Sequence, residues 1–350
     1  MRALPTIFIV PTGIGCEIGG FAGDALPAAK LLASASGCLI THPNVMNGGS
    51  LSEVDDNIYY VEGYSLDRFA KCEISLRKVR QQNIGIIFDS SIGHETLVRH
   101  LQVVDACRAT LGIQIGSYVI TDSPIGVECC EYSSIMSSGI IKNPKPLIDA
   151  GKKLLEKGST AIAIVADFPD QESKDNVDLY RKGKGVDFIA GVEAVISHLI
   201  SKFLKVPCAH SPSLKPIGIE YELDPRAAAE EIGYTFLPSV LIGLSKAPDL
   251  IEIRDYSLPD DINPYQVETI VVPSGALGGE SVLAFFERGL NVVAVRNMSS
   301  INVDHKYFNY PKLFQVDNYL EAAGLLLSLR KGINFESVIR PFNSINNSQI

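Results

Sequence analysis

The sequence predicts an α/β protein made of two Rossmann-like lobes with mainly parallel sheets. Short apolar runs alternate with helical patterns along the chain, which is typical of strand–helix–strand units with right-handed crossovers. Most runs are uninterrupted blocks of Ile, Val, Ala and Phe, and such blocks are typical of strands buried on both faces of a parallel sheet. On this basis we predict eight strands, at residues 6–10, 38–41, 57–61, 84–88, 118–121, 160–166, 269–272 and 291–295.

Five helices are predicted between these strands. Residues 95–110 repeat apolar side chains at helical spacing, and residues 24–35 are rich in Ala and Leu. Residues 145–157 carry a positive side chain in the last turn and are followed by Gly158, a common stop signal. The remaining two patterns, which also stop shortly before a glycine, are 282–288 and 319–330.

Two segments rich in Ser, Pro and Lys, residues 133–146 and 206–218, have the composition of exposed connections. We place the main boundary in the first of them. This divides the chain into an N-terminal lobe over residues 1–135 and a C-terminal lobe over residues 140–340, with a cleft between them. A single large sheet with insertions is the alternative architecture.

Composition and charge exclude several classes of protein. Of the 350 residues, 46% are apolar and 20% are charged, which is close to the average for a soluble globular protein and excludes a disordered chain. The 31 basic and 40 acidic residues give a net charge of −9, so the basic balance of a nucleic-acid-binding protein is missing. An anionic membrane surface is an unsuitable partner for the same reason. We expect a small-molecule substrate, and leave open whether the chain forms a homo-oligomer.

The cysteines and the N-terminus favour a cytoplasmic protein. The seven cysteines are odd in number and irregularly spaced, and no CxxC occurs, which argues against a zinc site and against a disulfide scaffold. No metal site is predicted. The first apolar run is short and broken by proline, unlike a signal peptide. Residues 186–204 form the longest apolar helical stretch, but they include too many polar residues to span a bilayer.

A glycine-rich loop follows the first strand. Five glycines occur within eleven residues, just before a helix. Glycine lets backbone N–H groups turn toward an anion, and the N-terminus of the next helix adds a positive dipole end. Gly13, Gly15, Gly19 and Gly20 are therefore predicted to bind a ligand. A tight structural turn, with Asp24 as the helix cap, is the alternative.

The first loop does not match a dinucleotide-binding site. Its spacing is GxGxxxG rather than GxGxxG. An acid that holds a ribose is expected at the end of the second strand, but this chain has Thr41-His42-Pro43-Asn44 there. Both departures weigh against NAD, and the cofactor stays unknown.

A second loop of the same kind lies in the C-terminal half. The predicted strand 269–272 leads into Pro-Ser-Gly-Ala-Leu-Gly-Gly-Glu-Ser and then into a helix. The carboxylate of Glu280 would accept hydrogen bonds from sugar hydroxyls, or would only favour the first turn of its helix. Because paired α/β lobes often bind a ligand between them, we expect the two loops to meet in one cleft. The predicted ligand-binding residues here are Ser274, Gly275, Gly278, Gly279 and Glu280.

The stretch SGALGGESVLAFFERGLNVVAV resembles the donor-binding stretch of two-lobed nucleotide-sugar glycosyltransferases and of UDP-sugar 2-epimerases. The loop before DALPAAKLLA is similar to their acceptor-side glycine loop. The chain departs from that pattern, because the helix after Glu280 is several residues longer and Asn291 stands where proline is usual. As a whole, the sequence more closely resembles an uncharacterised family of unknown function common in photosynthetic bacteria, which implies a fold and no reaction.

Three apolar strands end in aspartate, at Asp89, Asp122 and Asp167. Ligands of open α/β sheets sit beyond the carboxyl ends of the strands, where acids orient a substrate, act as bases or hold a divalent metal. His94 follows Asp89 at the presumed mouth of the cleft, where it would move protons. We predict Asp89, His94 and Asp122 as catalytic residues. The alternative is that they cap helices and begin turns.

Polar residues in other loops are further candidates. Asn44 and Asn47 follow the second strand near the presumed cleft, and are predicted to contact the ligand or to form a polar turn. His210 lies close to proline in a predicted loop. It is therefore a better site candidate than His198, which lies on a predicted helix.

Together these residues favour a small-molecule metabolic enzyme. We expect a transferase-like, nucleotide-binding protein that holds a phosphorylated or nucleotide-linked substrate in an inter-lobe cleft. The glycine loops would hold phosphates, and Asp89, Asp122 or His94 would activate the acceptor. The alternatives are an NAD(P)-dependent oxidoreductase, a cysteine-dependent hydrolase or lyase that uses Cys129 or Cys130, and a non-catalytic ligand-binding protein.

Overall fold

The computed structural model describes residues 2–21, 23–46, 55–133, 136–168, 174–213, 219–232, 237–255, 257–342 and 344, with the backbone alone at 130–133, 174–177 and 229–232. In chain order, the strands within these ranges are β1 (Thr6–Phe8), β2 (Leu39–Thr41), β3 (Ile58–Tyr60), β4 (Ile74–Arg77), β5 (Ile84–Phe88), β6 (Ile115–Ile120), β7 (Val127–Ser133), β8 (Met136–Ile141), β9 (Ala161–Ala166), β10 (Cys208–Pro212), β11 (Asp249–Glu252), β12 (Thr269–Pro273), β13 (Asn291–Val295) and β14 (Leu313–Val316).

Helices connect most of these strands. In chain order they are α1 (Leu26–Ser36), α2 (Pro43–Met46), α3 (Gly63–Ala70), α4 (His94–Leu111), α5 (Pro144–Glu156), α6 (Lys174–Arg181), α7 (Ala190–Leu204), α8 (Pro225–Ile232), α9 (Leu237–Ser245), α10 (Glu280–Glu287) and α11 (Tyr319–Lys331). No helix in the described ranges is both long enough and apolar enough to cross a bilayer.

Two parallel sheets organise the molecule. The larger has six strands in the order β14-β13-β12-β1-β2-β3, and the smaller has four in the order β10-β9-β5-β6. Every strand pair within these two sheets is parallel. Two antiparallel ribbons, β4 with β11 and β7 with β8, complete the architecture. The predicted α/β class with mainly parallel sheets is confirmed.

All eight apolar runs predicted as strands are strands of the two parallel sheets. Strands β5, β9 and β12 are buried along their whole length, as uninterrupted apolar blocks require. Two further strands lie in segments predicted as linkers: β8 in residues 133–146 and β10 in residues 206–218. Both linker predictions were wrong. The Ser and Pro content of these segments is typical of loops, but pairing with neighbouring strands stabilises β8 and β10 as strands.

The sheets do not follow the predicted division into residues 1–135 and 140–340. Strand β1 pairs with β12, so the larger sheet combines strands from both ends of the chain. Strand β5 pairs with β9, so the smaller sheet is built from the middle of the chain. Pairing between strands so far apart in sequence depends on tertiary packing, which local composition does not reveal.

One apolar core joins the two sheets. It includes Phe8 of β1, Leu32 of α1 and Leu326 of α11 on the side of the larger sheet, and Phe88 of β5 and Leu241 of α9 on the side of the smaller sheet. On the opposite faces, α3 and α10 cover the larger sheet and α5 and α7 cover the smaller one. Helix α7 also contacts α3, which brings α7 near the carboxyl ends of β1 and β2.

Candidate functional site

Where α7 faces the carboxyl ends of the larger sheet, a wide groove and a smaller pocket lie next to each other. The groove has a volume of about 480 Å³ and the pocket about 60 Å³. Both are lined by Thr12, His42, Gly63, Ala194 and His198. We call the two together the inter-sheet cleft. It lies beyond the carboxyl ends of parallel strands, where open α/β sheets bind their ligands.

The groove is mostly apolar. Its volume lies within the range of small-molecule sites, which are typically lined by apolar side chains with a few polar groups. The apolar side chains that line it are Ile9, Pro11, Leu66, Val272, Ala276, Val282, Ile301 and Val303. The groove therefore suits the carbon skeleton of a ligand better than a highly charged group.

The pocket, by contrast, is lined by acids and histidines. We call the following six side chains the acid–histidine cluster: His42, Glu62, Asp187, Glu193, His198 and His210. Among the described residues that line the pocket or the groove, none is Lys or Arg. No group of His, Cys, Asp and Glu in the described ranges has an arrangement that could hold a metal ion.

The three histidines of the cluster are held neutral by burial. Burial lowers the pKa of His42 to about 4. The Val10 N–H donates to its Nε2 atom over 3.2 Å, which also favours the uncharged ring. Burial also lowers the pKa of His210 to about 4, and its Nδ1 atom lies 2.9 Å from the Ser197 hydroxyl. The pKa of the half-buried His198 is lowered as well, again mainly by burial. Near neutral pH these rings are therefore uncharged.

The buried Glu193 and the half-buried Asp187 are neighbouring carboxyl groups in the pocket. Glu193 is only 7% exposed, and its carboxyl makes no hydrogen bond with the described part of the chain, the His210 ring lying 3.7 Å away. Burial, followed by the neighbouring Asp187, raises the pKa of Glu193 well above its usual range. Burial also raises the pKa of Asp187, which accepts a hydrogen bond from the Ile189 N–H. Two carboxyls so close together do not both ionise readily at neutral pH.

Glu62 caps α3 from the other side of the pocket. Its carboxylate accepts hydrogen bonds from the N–H groups of Tyr64 and Ser65, and its Oε1 atom lies 3.5 Å from Nδ1 of His198. Burial raises the pKa of Glu62 to about 7, despite these hydrogen bonds. A carboxyl group that titrates near the working pH is suited to general acid–base catalysis.

The second glycine loop forms one rim of the groove. Gly278 and Gly279 line it, with Gly279 as the N-cap of α10. The carboxylate of Asp67, on α3, accepts hydrogen bonds from the Ser281 N–H and hydroxyl. The predicted ligand residue Glu280 is paired with Lys71. The N-terminus of α10 is thus already occupied by a carboxylate of the protein itself.

The other two predicted residues of that loop are engaged in packing. The Ser274 N–H donates to the Val295 carbonyl, and Gly275 lies close to the Ile301 carbonyl and accepts a hydrogen bond from the Val303 N–H. Neither lines the groove or the pocket. Their ligand-binding role stays a prediction.

In the first glycine loop, backbone N–H groups donate hydrogen bonds to other groups of the protein. The Gly15 N–H donates to the Ser300 hydroxyl, and the Gly19 N–H donates to the carboxylate of Asp24. A Cβ atom on Gly20 would overlap the Cys16 carbonyl oxygen. These contacts explain the glycines by close packing and satisfy N–H groups that an anion would need, so their ligand-binding role also stays a prediction.

Further contacts show which parts of the protein the two glycine loops pack against. Gly13 has a φ of +75° and packs against Ser137 of β8, which again indicates a packing role. The Ser300 N–H donates to the Gly15 carbonyl, and the Val303 N–H donates to the Gly275 carbonyl. The two glycine loops therefore pack against one shared segment, residues 297–303.

Asn44 helps to build the pocket wall. Its side-chain amide donates to the carbonyl groups of Val10 and Gly19, and the residue also lines the pocket. It therefore holds the first glycine loop next to the pocket. Asn47 lies outside the described residues.

The three residues predicted as catalytic lie elsewhere. Asp89 is buried and its carboxylate accepts hydrogen bonds from the N–H groups of Ser91 and Ile125. Asp122 is exposed and paired with Lys153 over 3.1 Å. His94 is the exposed first residue of α4. None of the three lines the inter-sheet cleft, so a catalytic role for them stays a prediction.

None of the three acids of the cluster was predicted from the sequence. Glu193 and Asp187 had a recognisable signal, because both are charged residues within the apolar helical stretch 186–204. Glu62 had none beyond its place near a strand end. His210 was predicted as a candidate, although in a loop rather than in β10. Cys129 lies within β7 rather than at a helix end, so the helix dipole that would activate its thiol is not there.

Comparisons with known proteins show the family. A family model described as "Protein of unknown function (DUF3326)" matches residues 5–339, and the chain belongs to this family. A protein of Synechococcus sp. (strain ATCC 27144 / PCC 6301 / SAUG 1402/1), named an uncharacterized lipoprotein, is 44% identical over 334 residues, which cover 95% of this chain and 92% of that protein. No solved structure matches. The predicted resemblance to an uncharacterised family is confirmed.

Proposed function

We propose that this protein is an enzyme that applies general acid–base chemistry to a small molecule in the inter-sheet cleft. One observation carries the proposal: the acid–histidine cluster surrounds a small pocket that adjoins an apolar groove. Its members come from the end of β2, the start of α3, the approach to α7, α7 itself and β10. Titratable groups with shifted pKa values in a cleft are typical of active sites.

The members of the cluster have complementary protonation states. Glu193 is a protonated acid near neutral pH and donates a proton, since burial raises its pKa. Glu62, with a pKa of about 7, accepts or donates one. The uncharged ring of His198 lies beside Glu62 and is available to exchange a proton with it. General acid–base catalysis of this kind typically accelerates a reaction by about 10²- to 10⁴-fold.

The test begins with the ligand. Mass spectrometry of the denatured protein identifies any small molecule that copurifies, and turnover of that molecule and of its chemical class is then measured. Glu193→Gln should lower turnover by about a hundredfold, whereas Glu156→Gln, on the exposed end of α5, should not change it. Turnover that is insensitive to Glu193→Gln would contradict the proposal.

Group transfer from a phosphorylated or nucleotide-linked donor is the second candidate function. It is supported by Gly278 and Gly279, which line the groove at the N-terminus of α10, where backbone N–H groups attract anions. The carboxylate of Asp67 at the same helix end weighs against it. For this reason we rank it below acid–base chemistry without a phosphate donor.

The cytoplasm remains our proposal for the location. None of the six cysteines with described side chains is part of a disulfide bond, as is usual in reducing compartments. The Synechococcus relative is named a lipoprotein, which favours attachment to a membrane through a lipid instead. Fractionation of cells, followed by the mass of the intact protein, distinguishes the two.

A further inference from the structure

We infer that the substrate carries a protonated amine, which binds in the pocket beside Glu193 and Asp187 while its apolar part occupies the groove. This inference rests on the proposed function, since it names the class of molecule on which the cleft acts.

The charges of the cleft favour a cation. Three acids line the pocket, and Asp67 and Glu280 line the groove. Among the described lining residues there is no Lys or Arg to receive an anion. Lys71, beside the rim, is paired with Glu280. A carboxylate or phosphate in the pocket would therefore face acids without a compensating positive charge.

Glu193 supplies the second, independent observation. Its side chain is nine-tenths buried and lines the pocket, yet it has no hydrogen-bond partner among the described residues. Its carboxyl oxygens are therefore open to a ligand in the pocket. An ammonium group has three N–H donors and no acceptor, so it matches a site whose carboxyl oxygens are unoccupied.

The size of the cleft also fits a protonated amine with an apolar substituent. The pocket, of about 60 Å³, is much smaller than the groove, of about 480 Å³. A compact ammonium head therefore suits the pocket, and the larger part of the ligand lies in the groove. The adjoining groove, with its side chains such as Leu66, Val272 and Val282, accommodates an alkyl or ring substituent.

Binding of an amine has a proton balance that can be measured. In the empty pocket, burial favours the protonated forms of both Asp187 and Glu193. An amine that arrives already protonated favours the carboxylate form of one of them, so one proton leaves to solvent, the other acid keeps its proton for acid–base chemistry, and no covalent bond to carbon changes. The other titratable or charged groups that face the pocket or its rim are His42, Glu62, Asp67, Lys71, His198, His210 and Glu280.

Isothermal titration calorimetry of the full chain with n-hexylamine tests the inference. Titrations at one pH in phosphate and in HEPES, neither of which is a primary amine, should give enthalpies that differ by the difference in the ionisation enthalpies of the two buffers multiplied by the number of protons released. Glu193→Gln should weaken binding about tenfold or more, since a hydrogen bond to a charged group is lost. Asp187→Asn is the second variant, and Glu156→Gln is the matched control.

n-Hexanol and n-hexanoate serve as neutral and anionic probes. Hexylamine that binds more tightly than both, releases a proton and is weakened by either pocket variant supports the inference. Hexanol or hexanoate binding as tightly as hexylamine overturns the amine assignment but leaves the proposed enzyme intact. Absence of hexylamine binding, or binding that neither variant weakens, also overturns it. The proposed function is tested separately: it would be contradicted if Glu193→Gln did not lower turnover. If Glu193→Gln does not fold, the affinity of Asp187→Asn for hexylamine decides whether the inference holds.

Discussion

His210 of β10 and Glu193 of α7 face each other, with 3.7 Å between Nε2 of the ring and Oε2 of the carboxyl. Burial affects the two groups in opposite directions, because it lowers the pKa of His210 to about 4 and raises that of Glu193 well above its usual range. Both groups are therefore uncharged near neutral pH. A neutral acid next to a neutral base is the arrangement from which proton transfer to a bound molecule can begin.

The first prediction concerns His210→Asn. Between pH 6.5 and about pH 4 the folded protein binds fewer protons at His210 than the unfolded chain does, so the contribution of His210 to wild-type stability falls as the pH falls through this window. The full shift corresponds to about 3 kcal/mol. In His210→Asn this part of the pH dependence should disappear, as measured by urea denaturation across the window. His94→Asn, at an exposed position, is the control, and an unchanged pH dependence in His210→Asn would contradict the prediction.

The second prediction, for Glu62→Gln, has the opposite sign. Burial raises the pKa of Glu62 from 4.5 to about 7. Between these pH values the folded protein binds more protons at Glu62 than the unfolded chain does, so the contribution of Glu62 to wild-type stability falls as the pH rises. Glu62→Gln should remove a loss of about 3 kcal/mol over that range. Urea denaturation measures it, with Glu156→Gln as the control; parallel curves for wild type and Glu62→Gln would show that Glu62 ionises normally in the folded protein.

The third prediction concerns Asp67→Ala. The Asp67 carboxylate accepts a hydrogen bond from the Ser281 N–H at the start of α10. Removing this carboxylate should lower the free energy of unfolding by about 1 kcal/mol, as for other helix caps. It should also free N–H groups beside Gly279 and increase the affinity for inorganic phosphate. Thermal denaturation and phosphate titration measure the two effects, with the exposed Asp122→Ala as control. Wild type binding phosphate as tightly as Asp67→Ala would instead support the phosphate-donor function.

The fourth prediction compares two glycines. A Cβ on Gly20 would overlap the Cys16 carbonyl, whereas one on Gly324, in α11, would meet nothing within 4 Å. Gly20→Ala should therefore lower stability by about 1–3 kcal/mol. Gly324→Ala should raise it by about 0.5–1 kcal/mol, since alanine favours the helix. Chemical denaturation compares both with wild type. If Gly20→Ala folds normally but loses ligand binding, the first glycine loop contacts the ligand directly.

The fifth prediction separates structural from catalytic aspartates. Asp89→Ala leaves the buried Ile125 N–H without its acceptor, and should lower stability by about 1–3 kcal/mol. Asp122→Ala, at an exposed ion pair, should change stability by less than about 0.5 kcal/mol. Once a substrate is known, Asp122→Ala should retain its turnover. Loss of turnover in Asp122→Ala without loss of stability would restore the catalytic role predicted from the sequence.

Two of the residues that line the pocket were predicted from the sequence as site candidates: His210, close to proline, and Asn44, after the second strand. Two acids of the same cluster, Glu62 and Glu193, are separated in sequence from His42 and His210 by 20 and 17 residues and lie on different elements. No short spacing connects these residues, so no motif could predict the cluster.

The sequence by itself determined the fold class. Uninterrupted blocks of Ile, Val and Ala, such as Ile84–Phe88 and Ala161–Ala166, are stable only where both faces of a strand are covered, which requires a parallel sheet between helices. The tertiary structure alone decided which strands pair. Strand β1 lies beside β12 rather than in a sheet with β5, because packing chooses among many equally apolar strands. The same packing buried the acid–histidine cluster, and burial rather than residue type made its acids weak and its histidines neutral.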